Sequence, residues 1–436
     1  MSAQTQSNPG QLSARGQHVT NNCFPASGLQ LLNWQHQQKI SKGLSRFQEP
    51  EVLLLNLRLR ELHFSAFESA YRALITRHEN LRSVFFMEED KLMQRVLDYQ
   101  EHFFDTLIYD IAAAPVKETL IREATRKAMW DVCNLETGPL IRSLLFKVSQ
   151  KECWFVSVTH HIVSDARSLE IIKSDLFQLY KFYKYNKPLT LEPIRYTVEA
   201  YNRRQLALVT GSKGLEEKVY WIERFRLHPL IDFSNFYKAA GQAGVSIEDA
   251  NQHLDLRRFL REKPENGANT LRQFLEPETN KRVMSAAQRW NITPFVFIMG
   301  GFCMMMRRLN GQQSFLIASS VNDRRSVKMR NMIGHLMCKV YLDLKLTGHR
   351  NVVEFMNYVY ADFLRATRHP LYQEKDYEEL NVPRQTSLYI NYSDKRSIWL
   401  EPNPAAIHKH ESANRSCYAL SAVIHHYKNC VEINWL

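Results

Sequence analysis

The stretch VTHHIVSDARS, residues 158–168, places two adjacent histidines and an aspartate within six residues. Side chains alternate between the faces of a strand, so His160 and His161 cannot both point into one cleft while the strand continues. One imidazole held in a single tautomer can take a proton from a nucleophile. The spacing favours one histidine as a general base and the other packed beside it. Asp165 would cap a following helix or form a buried ion pair.

Two other interpretations of the histidine pair stay open. Metal binding needs converging ligands, but adjacent histidines on a strand diverge and no HxH or HxxxH spacing lies nearby. A purely structural pair is the alternative for any HH sequence. The second such pair, His425 and His426, is followed by neither an aspartate four residues on nor a helix. We predict that this second pair is structural.

The elements around the first pair alternate between strand and helix. Apolar runs at 141–148 and 153–160 predict two strands joined by a hairpin-sized connection. Apolar residues at helical spacing predict a helix over 168–184, and a similar pattern begins upstream at Phe67 and continues to His78. The histidine pair is therefore expected at the end of a strand, directly before a long helix.

The second half of the chain repeats this alternation, which predicts two α/β sandwich-like lobes. We place a flexible arm at 1–22 and an N-terminal lobe carrying the histidine pair at 23–190. A C-terminal lobe, including a linker, occupies 191–436. The polar segment 239–270 is predicted to be an insertion or surface loop.

Composition narrows the class of protein. The chain has 436 residues, 44% of them apolar, with no run of 18 apolar residues and no signal-peptide pattern at the N-terminus. Seven scattered cysteines, never spaced CxxC, fit a reducing compartment. The net charge of +12 comes from dispersed basic residues without a nucleic-acid motif. We predict a cytoplasmic monomer that binds neither nucleic acid nor membrane. Its basic residues form either a solvated surface or a docking face for small acidic proteins.

The segment HHIVSDARS resembles the HHxxxDGxS motif of condensation domains of non-ribosomal peptide synthetases. These domains belong to the chloramphenicol acetyltransferase-like superfamily. RHENLRSVF, residues 77–85, is similar to the RHExLRTxF segment of the same family, and looser similarity runs from about residue 24 to 436. The resemblance implies two chloramphenicol acetyltransferase-like α/β lobes that form a V with a tunnel between them.

The resemblance also implies a reaction and its partners. The chain would join a carrier-bound acyl or peptidyl thioester to an amine or alcohol, making an amide or ester in secondary metabolism, such as antibiotic or siderophore biosynthesis. Acyl or peptidyl carrier proteins would deliver the substrates on phosphopantetheine arms. No cofactor or metal would be bound by this chain itself, and the acceptor could also be a small soluble molecule.

Residue roles follow from the motifs by resemblance. His161 would be the catalytic histidine, acting as general base or positioning the nucleophile, and His160 its structural neighbour. Asp165 would point away from the tunnel and pair with Arg82, while Arg77 would brace the same region.

Several positions depart from the family pattern on the expected tunnel or acceptor side. Ala166 stands where the family has Gly, Asn202 near an expected Trp, and Cys338 near an expected Asn. Ser168 and Asn391 are assigned to the same region. These departures leave the chemical identity of the acceptor undetermined.

Two other functions are compatible with the same motifs. One is an acyl-CoA-dependent acyltransferase of the same superfamily, and the other is a catalytically inactive scaffold. No adenylation signature or carrier-protein serine motif is present, so the chain is expected to be free-standing or excised from a larger assembly. The sequence does not identify the donor acyl group, the acceptor or the bond type.

Overall fold

The computed structural model describes residues 23–44, 50–227, 271–370, 388–395, 420–427 and 430–435. The predicted arm at 1–22 and the polar segment 239–270 lie outside the described residues. Within the described ranges, the strands form three sheets, two from the first half of the chain and one from the second.

The first half contains a three-stranded and a four-stranded sheet. The three-stranded sheet has the order β1 (Cys23–Pro25), β4 (Lys91–Val96) and β3 (Ser83–Glu88). The four-stranded sheet has the order β2 (Val52–Arg60), β7 (Glu152–His160), β6 (Ile141–Lys147) and β5 (Leu107–Asp110). The helices of this half are α1 (Gly28–Ser41), α2 (Phe64–Arg77), α3 (Lys117–Asp131) and α4 (Ala166–Tyr185).

Helices α2 and α4 pack together because each has one apolar face. Phe67 and Tyr71 on α2 are buried, and both contact the ring of Phe155 on β7 edge-to-face, at centroid distances of 5.1 and 6.2 Å. Ile172 and Leu176 supply the buried face of α4. The predicted helices and their buried faces are confirmed. Their packing holds α4, which follows β7 in the chain, against α2.

The second half of the chain is built on one six-stranded sheet. Its order is β10 (Met337–Lys345), β9 (Ser314–Asn322), β11 (Leu388–Lys395), β12 (Leu420–Tyr427), β13 (Val431–Trp435) and β8 (Leu271–Leu275). The helices after α4 are α5 (Val198–Thr210), α6 (Ser212–Leu227), α7 (Pro277–Arg289), α8 (Pro294–Asn310) and α9 (Val352–Ala366).

Helix α8 is the central helix of this second core. Gly300 lets it approach α9, since a Cβ there would lie 2.3 Å from Sδ of Met356. The helix ends as the Asn310–Gly311 sequence predicts, with Gly311 in the left-handed conformation at φ +79°. No single helix in the described part of the chain is long and apolar enough to cross a membrane; α7 with α8 passes by length and composition only, across a 106° bend.

A loop of the second half crosses onto the first half. Ile333 is buried in the same core as α2 and α4, and its carbonyl accepts a hydrogen bond from Nδ2 of Asn80 at 3.1 Å. Helix α5 closes the same junction, where Val198 and Tyr201 pack with Phe24 of β1. The end of β7 therefore faces the loop between β9 and β10.

Candidate active site

His160, the last residue of β7, is fully buried and held in one tautomer. Its Nδ1 accepts a hydrogen bond from the backbone N–H of Ile162 at 3.1 Å. Its Nε2 must then carry the proton, which it donates to Oε1 of Gln37 at 3.2 Å. Burial lowers the pKa of His160 to about 3, so the ring is neutral at physiological pH. Both ring nitrogens are occupied by the protein, which leaves His160 unavailable to a substrate.

His161 begins the short 3₁₀ turn after β7 and is only partly buried. Its backbone N–H donates to the carbonyl of Glu51 at 2.8 Å, which fixes the turn. Its Nδ1 has no hydrogen-bond partner among the described residues. Its ring lies 4.3 Å from the ring of His335, centroid to centroid, at 45°. Of the two adjacent imidazoles, that of His161 is the one that is partly exposed, and its unpartnered Nδ1 is itself a buried atom.

Polar residues from three segments surround His161. Nδ2 of Asn33 donates to Oε2 of Glu51 at 2.7 Å, and Nδ1 of His36 lies 2.9 Å from the other carboxylate oxygen, Oε1. Nδ1 of His335 lies 2.6 Å from Oδ1 of Asn33. The site therefore holds a connected row of side chains from α1, the start of β2 and the loop before β10.

The charges of this row favour an anionic Glu51 and a neutral His335. Burial raises the pKa of Glu51, but the hydrogen bond and charge of His36, with smaller contributions from His161 and Asn33, outweigh burial and hold the pKa well below its usual range. Burial lowers the pKa of His335 to about 3. The site therefore presents an anionic carboxylate near His161.

None of these four residues was predicted from the sequence. Asn33 and His36 are three residues apart on α1 and so share one helix face, which is the one local signal for them. Glu51 and His335 have no such signal, because their proximity depends on how the two halves of the chain pack.

Asp165 caps α4 and pairs with an arginine from the second half. Its Oδ1 accepts from the backbone N–H of Ser168 at 2.8 Å. Arg324 donates to both carboxylate oxygens, at 2.7 and 3.0 Å, and both side chains are buried. Burial raises the pKa of Asp165, but Arg324 and Ser168 more than offset this and lower it. The predicted pairing of Asp165 with Arg82 is wrong.

Arg82 instead binds backbone carbonyls. It donates to the carbonyls of Ile75 and Thr76, at 3.1 and 3.2 Å, and to that of Leu97. The carbonyls of the last helical turn have no partner within the helix, so the end of α2 attracts a cation. The guanidinium of Arg82 therefore hydrogen-bonds backbone carbonyls, two of them at the end of α2, and does not contact Asp165.

Arg77 connects α2 to α4 away from Asp165. Its Nε donates to Oδ2 of Asp175 at 3.1 Å, and its guanidinium also contacts the carbonyl of Glu192. His78 lies 3.0 Å from the same carboxylate oxygen. Arg77 thus braces the α2–α4 pair, and the expectation that it braces the Asp165 region is wrong.

Three of the five residues predicted on the tunnel or acceptor side are buried in the structure. Ser168 hydrogen-bonds Asp165 and Gly334, and Cys338 is buried within β10. Nδ2 of Asn202 contacts three acceptors, of which the carbonyl of Pro25 joins α5 to β1. These three side chains are packed against protein atoms, and their placement on the tunnel or acceptor side stays a prediction.

The other two predicted lining residues have accessible positions. Ala166 is exposed at the first turn of α4, and Asn391 is half-buried on β11. Beside Ala166 lies a cavity of about 260 Å³ between Arg167 and the loop that follows β9. Arg324, Arg325 and Arg330 also line this cavity, so its walls are strongly basic.

The fold and the strand-end histidine between two sheet systems define a chloramphenicol acetyltransferase-like protein, which confirms the predicted fold class. The family model "Condensation domain" matches residues 22–392, which is most of the chain. The chain therefore belongs to the condensation-domain family.

Curated relatives are multidomain synthetases. Bacitracin synthase 2 of Bacillus licheniformis is 23% identical over 320 residues, which cover 73% of this chain and 11% of the synthase. Malpinin synthetase of Mortierella alpina is 25% identical over 334 residues, which cover 76% of this chain and 4% of the synthetase. The chain thus spans about a tenth or less of the length of these relatives.

Solved structures show the same fold at lower identity. The first condensation domain of the calcium-dependent antibiotic synthetase, in complex with a substrate analogue, matches with a TM-score of 0.69 and 14% identity over 95% of this chain and 90% of that one. The X-domain from teicoplanin biosynthesis, in complex with OxyB, matches with a TM-score of 0.68 and 17% identity over 94% and 87%. A starter condensation domain of rhizomide synthetase, a variant in complex with C8-CoA and Leu-SNAC, gives 0.71 and 15% over 96% and 89%.

Proposed function

We propose that this chain catalyses the condensation of a carrier-bound acyl or peptidyl thioester with an amine or alcohol, and that His161 is its general base. One observation carries the proposal. Of the two histidines at the end of β7, His160 has both ring nitrogens occupied by the protein, whereas His161 is partly exposed and its buried Nδ1 has no partner in the described part of the chain. This division is what one-base acyl transfer requires.

The chemistry needs no covalent enzyme intermediate, because a thioester is already activated. The nucleophile's lone pair attacks the thioester carbon, and His161 takes the proton that the nucleophile releases. The tetrahedral intermediate then collapses with cleavage of the C–S bond, and the thiolate receives the proton from His161. The products are one amide or ester and one thiol. A positioned base contributes about 10²–10⁴-fold to such a reaction.

Asp165 and Arg324 support this role from outside the reaction. Their buried pair joins the first turn of α4 to the loop of the second half, and Oδ2 of Asp165 also accepts from the backbone N–H of Leu336 at 3.1 Å. His161 and His335 lie on the two segments that this pair connects. The pair therefore holds the two rings at a fixed separation.

The partners are proposed from the family. Carrier proteins would present phosphopantetheine thioesters, so this chain would need no bound cofactor of its own. A small amine or alcohol could replace a carrier-bound acceptor, and a cytoplasmic secondary-metabolite pathway is the setting that fits carrier-dependent chemistry.

The test is a condensation assay followed by intact-protein mass spectrometry. An acyl-loaded carrier protein is incubated with a panel of amines and alcohols, and loss of the acyl group from the carrier is measured together with the product. We expect turnover by the wild type and a loss of about 10²-fold or more in His161→Ala. His349→Ala serves as the matched control, because His349 lies in the second half beside Phe355 and Tyr358. Full activity of a folded His161→Ala protein would overturn the assignment.

A second candidate is transfer from free acyl-CoA. The observation that favours it is the cavity lined by Arg167, Arg324, Arg325 and Arg330, since arginines bind phosphate groups of the kind that CoA carries. The same assay distinguishes the two: turnover with free acyl-CoA at least as fast as with the loaded carrier would favour this second function.

A further inference from the structure

His335 enters the site from the second half of the chain and faces His161. The two ring centroids are 4.3 Å apart, which is direct contact. His335 follows Gly334, whose backbone N–H and carbonyl both hydrogen-bond the hydroxyl of Ser168 at the start of α4. The position of His335 is thus fixed by the same contacts that hold the two halves together.

The hydrogen bonds around Asn33 determine which nitrogen of His335 carries the proton. A carboxylate only accepts, so the contact with Glu51 identifies the Asn33 atom on that side as the amide nitrogen. The amide oxygen of Asn33 then faces His335, and an amide oxygen also only accepts. Nδ1 of His335 is therefore the donor of this 2.6 Å hydrogen bond, and Nε2 of the neutral ring keeps a free lone pair.

The surroundings of His335 are consistent with this neutral form. The charged or titratable groups near it are His161 at the end of β7, Asp165 at the start of α4, Glu51 before β2 and Lys339 on β10. Burial has the largest effect and lowers the pKa of His335, followed by the charge of His161, while the two carboxylates oppose them. Two imidazoles in direct contact thus each have one ring nitrogen to which the described residues donate no hydrogen bond.

We propose that His335 is a second catalytic residue, whose Nε2 accepts a hydrogen bond from the attacking nucleophile and so selects a primary amine over an alcohol. This inference rests on the proposed condensation and names its acceptor class. A primary amine has two N–H groups, so it can donate one to each imidazole. A hydroxyl has one O–H and leaves one of the two acceptors without a partner.

The proton balance follows from this arrangement. The amine lone pair attacks the thioester carbon, and the nitrogen then carries both of its protons and a positive charge. His161 takes one proton and passes it to the departing thiolate as the C–S bond breaks. The other proton stays hydrogen-bonded to His335 and becomes the N–H of the product amide.

The experiment measures acceptor preference in three proteins. Two acceptors, which differ only in carrying a primary amine or a hydroxyl, compete for the same acyl-loaded carrier. Mass spectrometry records the ratio of amide to ester. His335→Phe keeps an aromatic ring beside His161 but removes both nitrogens. His349→Phe is the matched control, and His335→Gln is the conservative variant, since its side-chain amide still offers an acceptor.

We expect the wild type and His349→Phe to share one amide-to-ester ratio, His335→Phe to lower that ratio about tenfold, and His335→Gln to restore part of it. An unchanged ratio in an active His335→Phe or, if that variant does not fold, in His335→Ala overturns the inference and leaves the proposed condensation intact. A wild type that transfers the acyl group to neither acceptor overturns the proposed function instead.

A second measurement tests the tautomer without any activity. In the ¹⁵N spectrum of histidine-labelled protein at pH 7, the resonances missing from His335→Gln identify His335. The inference requires a neutral ring protonated on Nδ1 with a bare Nε2. An imidazolium, or a ring protonated on Nε2, contradicts it whatever the assay gives.

Discussion

The buried pair of Asp165 and Arg324 is the contact whose loss we expect to damage the fold most. Replacing Asp165 with Asn keeps the helix cap but leaves the guanidinium buried without its counter-charge. Removing one partner of a buried pair costs about 3–5 kcal/mol. For a protein of this size that lowers the melting temperature by about 3–5 °C. Arg324→Gln should cost a similar amount, because it leaves the carboxylate unpaired.

The assay is thermal unfolding of the two single variants, the double variant and a control. Arg325→Gln is the matched control, since Arg325 neighbours Arg324 but is exposed, and its buried partner Asp323 keeps hydrogen bonds from Tyr201 and Gln205. The pKa of Asp165 is lower in the folded than in the unfolded state, so its stabilisation is complete above about pH 4 and is lost as pH falls through the folded value. The difference from wild type should therefore be constant from about pH 5 to 8. Equal melting temperatures for Asp165→Asn and Arg325→Gln, or a double variant that simply sums the singles, would refute the reasoning.

Three further predictions concern other buried groups. His160 is neutral when folded, with a pKa of about 3, but protonates near pH 6.5 when unfolded, so wild-type stability should fall as pH drops from about 6.5 towards 3; His160→Gln should flatten this slope in urea unfolding. Asn202→Leu should cost about 1–3 kcal/mol in urea unfolding, because it removes the buried hydrogen bonds from Nδ2 of Asn202 to the amide oxygens of Gln30 and Gln94, while the ratio of amide to ester formed stays unchanged. Gly300→Ala should destabilise by about 1–3 kcal/mol through its clash with Met356, whereas Gly301→Ala, with nothing within 4 Å, should stabilise by about 0.5–1 kcal/mol; the reverse order in thermal unfolding would contradict the packing of α8.

The sequence predicted those elements whose side chains follow a clear period. Helix α2 and the strand–helix unit around His160 were found because apolar residues recur at helical or strand spacing over many positions. Strand β2 was missed, although VLLLNLRLR begins as an apolar run and ends in alternation. Its residues are mostly half-buried, and such a mixed pattern is equally compatible with a helix.

Only those features of the site that depend on neighbouring residues were predicted from the sequence. The burial of Asp165 and its place at the start of a helix follow from neighbouring residues. Its partner does not, because Arg324 is 159 positions away and Arg82 is much closer in sequence. His335 was missed for the same reason, since its contact with His161 exists only after the two halves have packed.

The loop that carries Ile333 has a mechanical consequence. Ile333 is buried in the core of the first half, and Arg324, on the same loop, pairs with Asp165 of α4. Any opening between the two halves therefore moves the residues near this loop least and the residues far from it most. This loop would then act as the hinge of the motion, with His161 and His335 close to it. The separation of the two imidazole rings would therefore change little during such a motion.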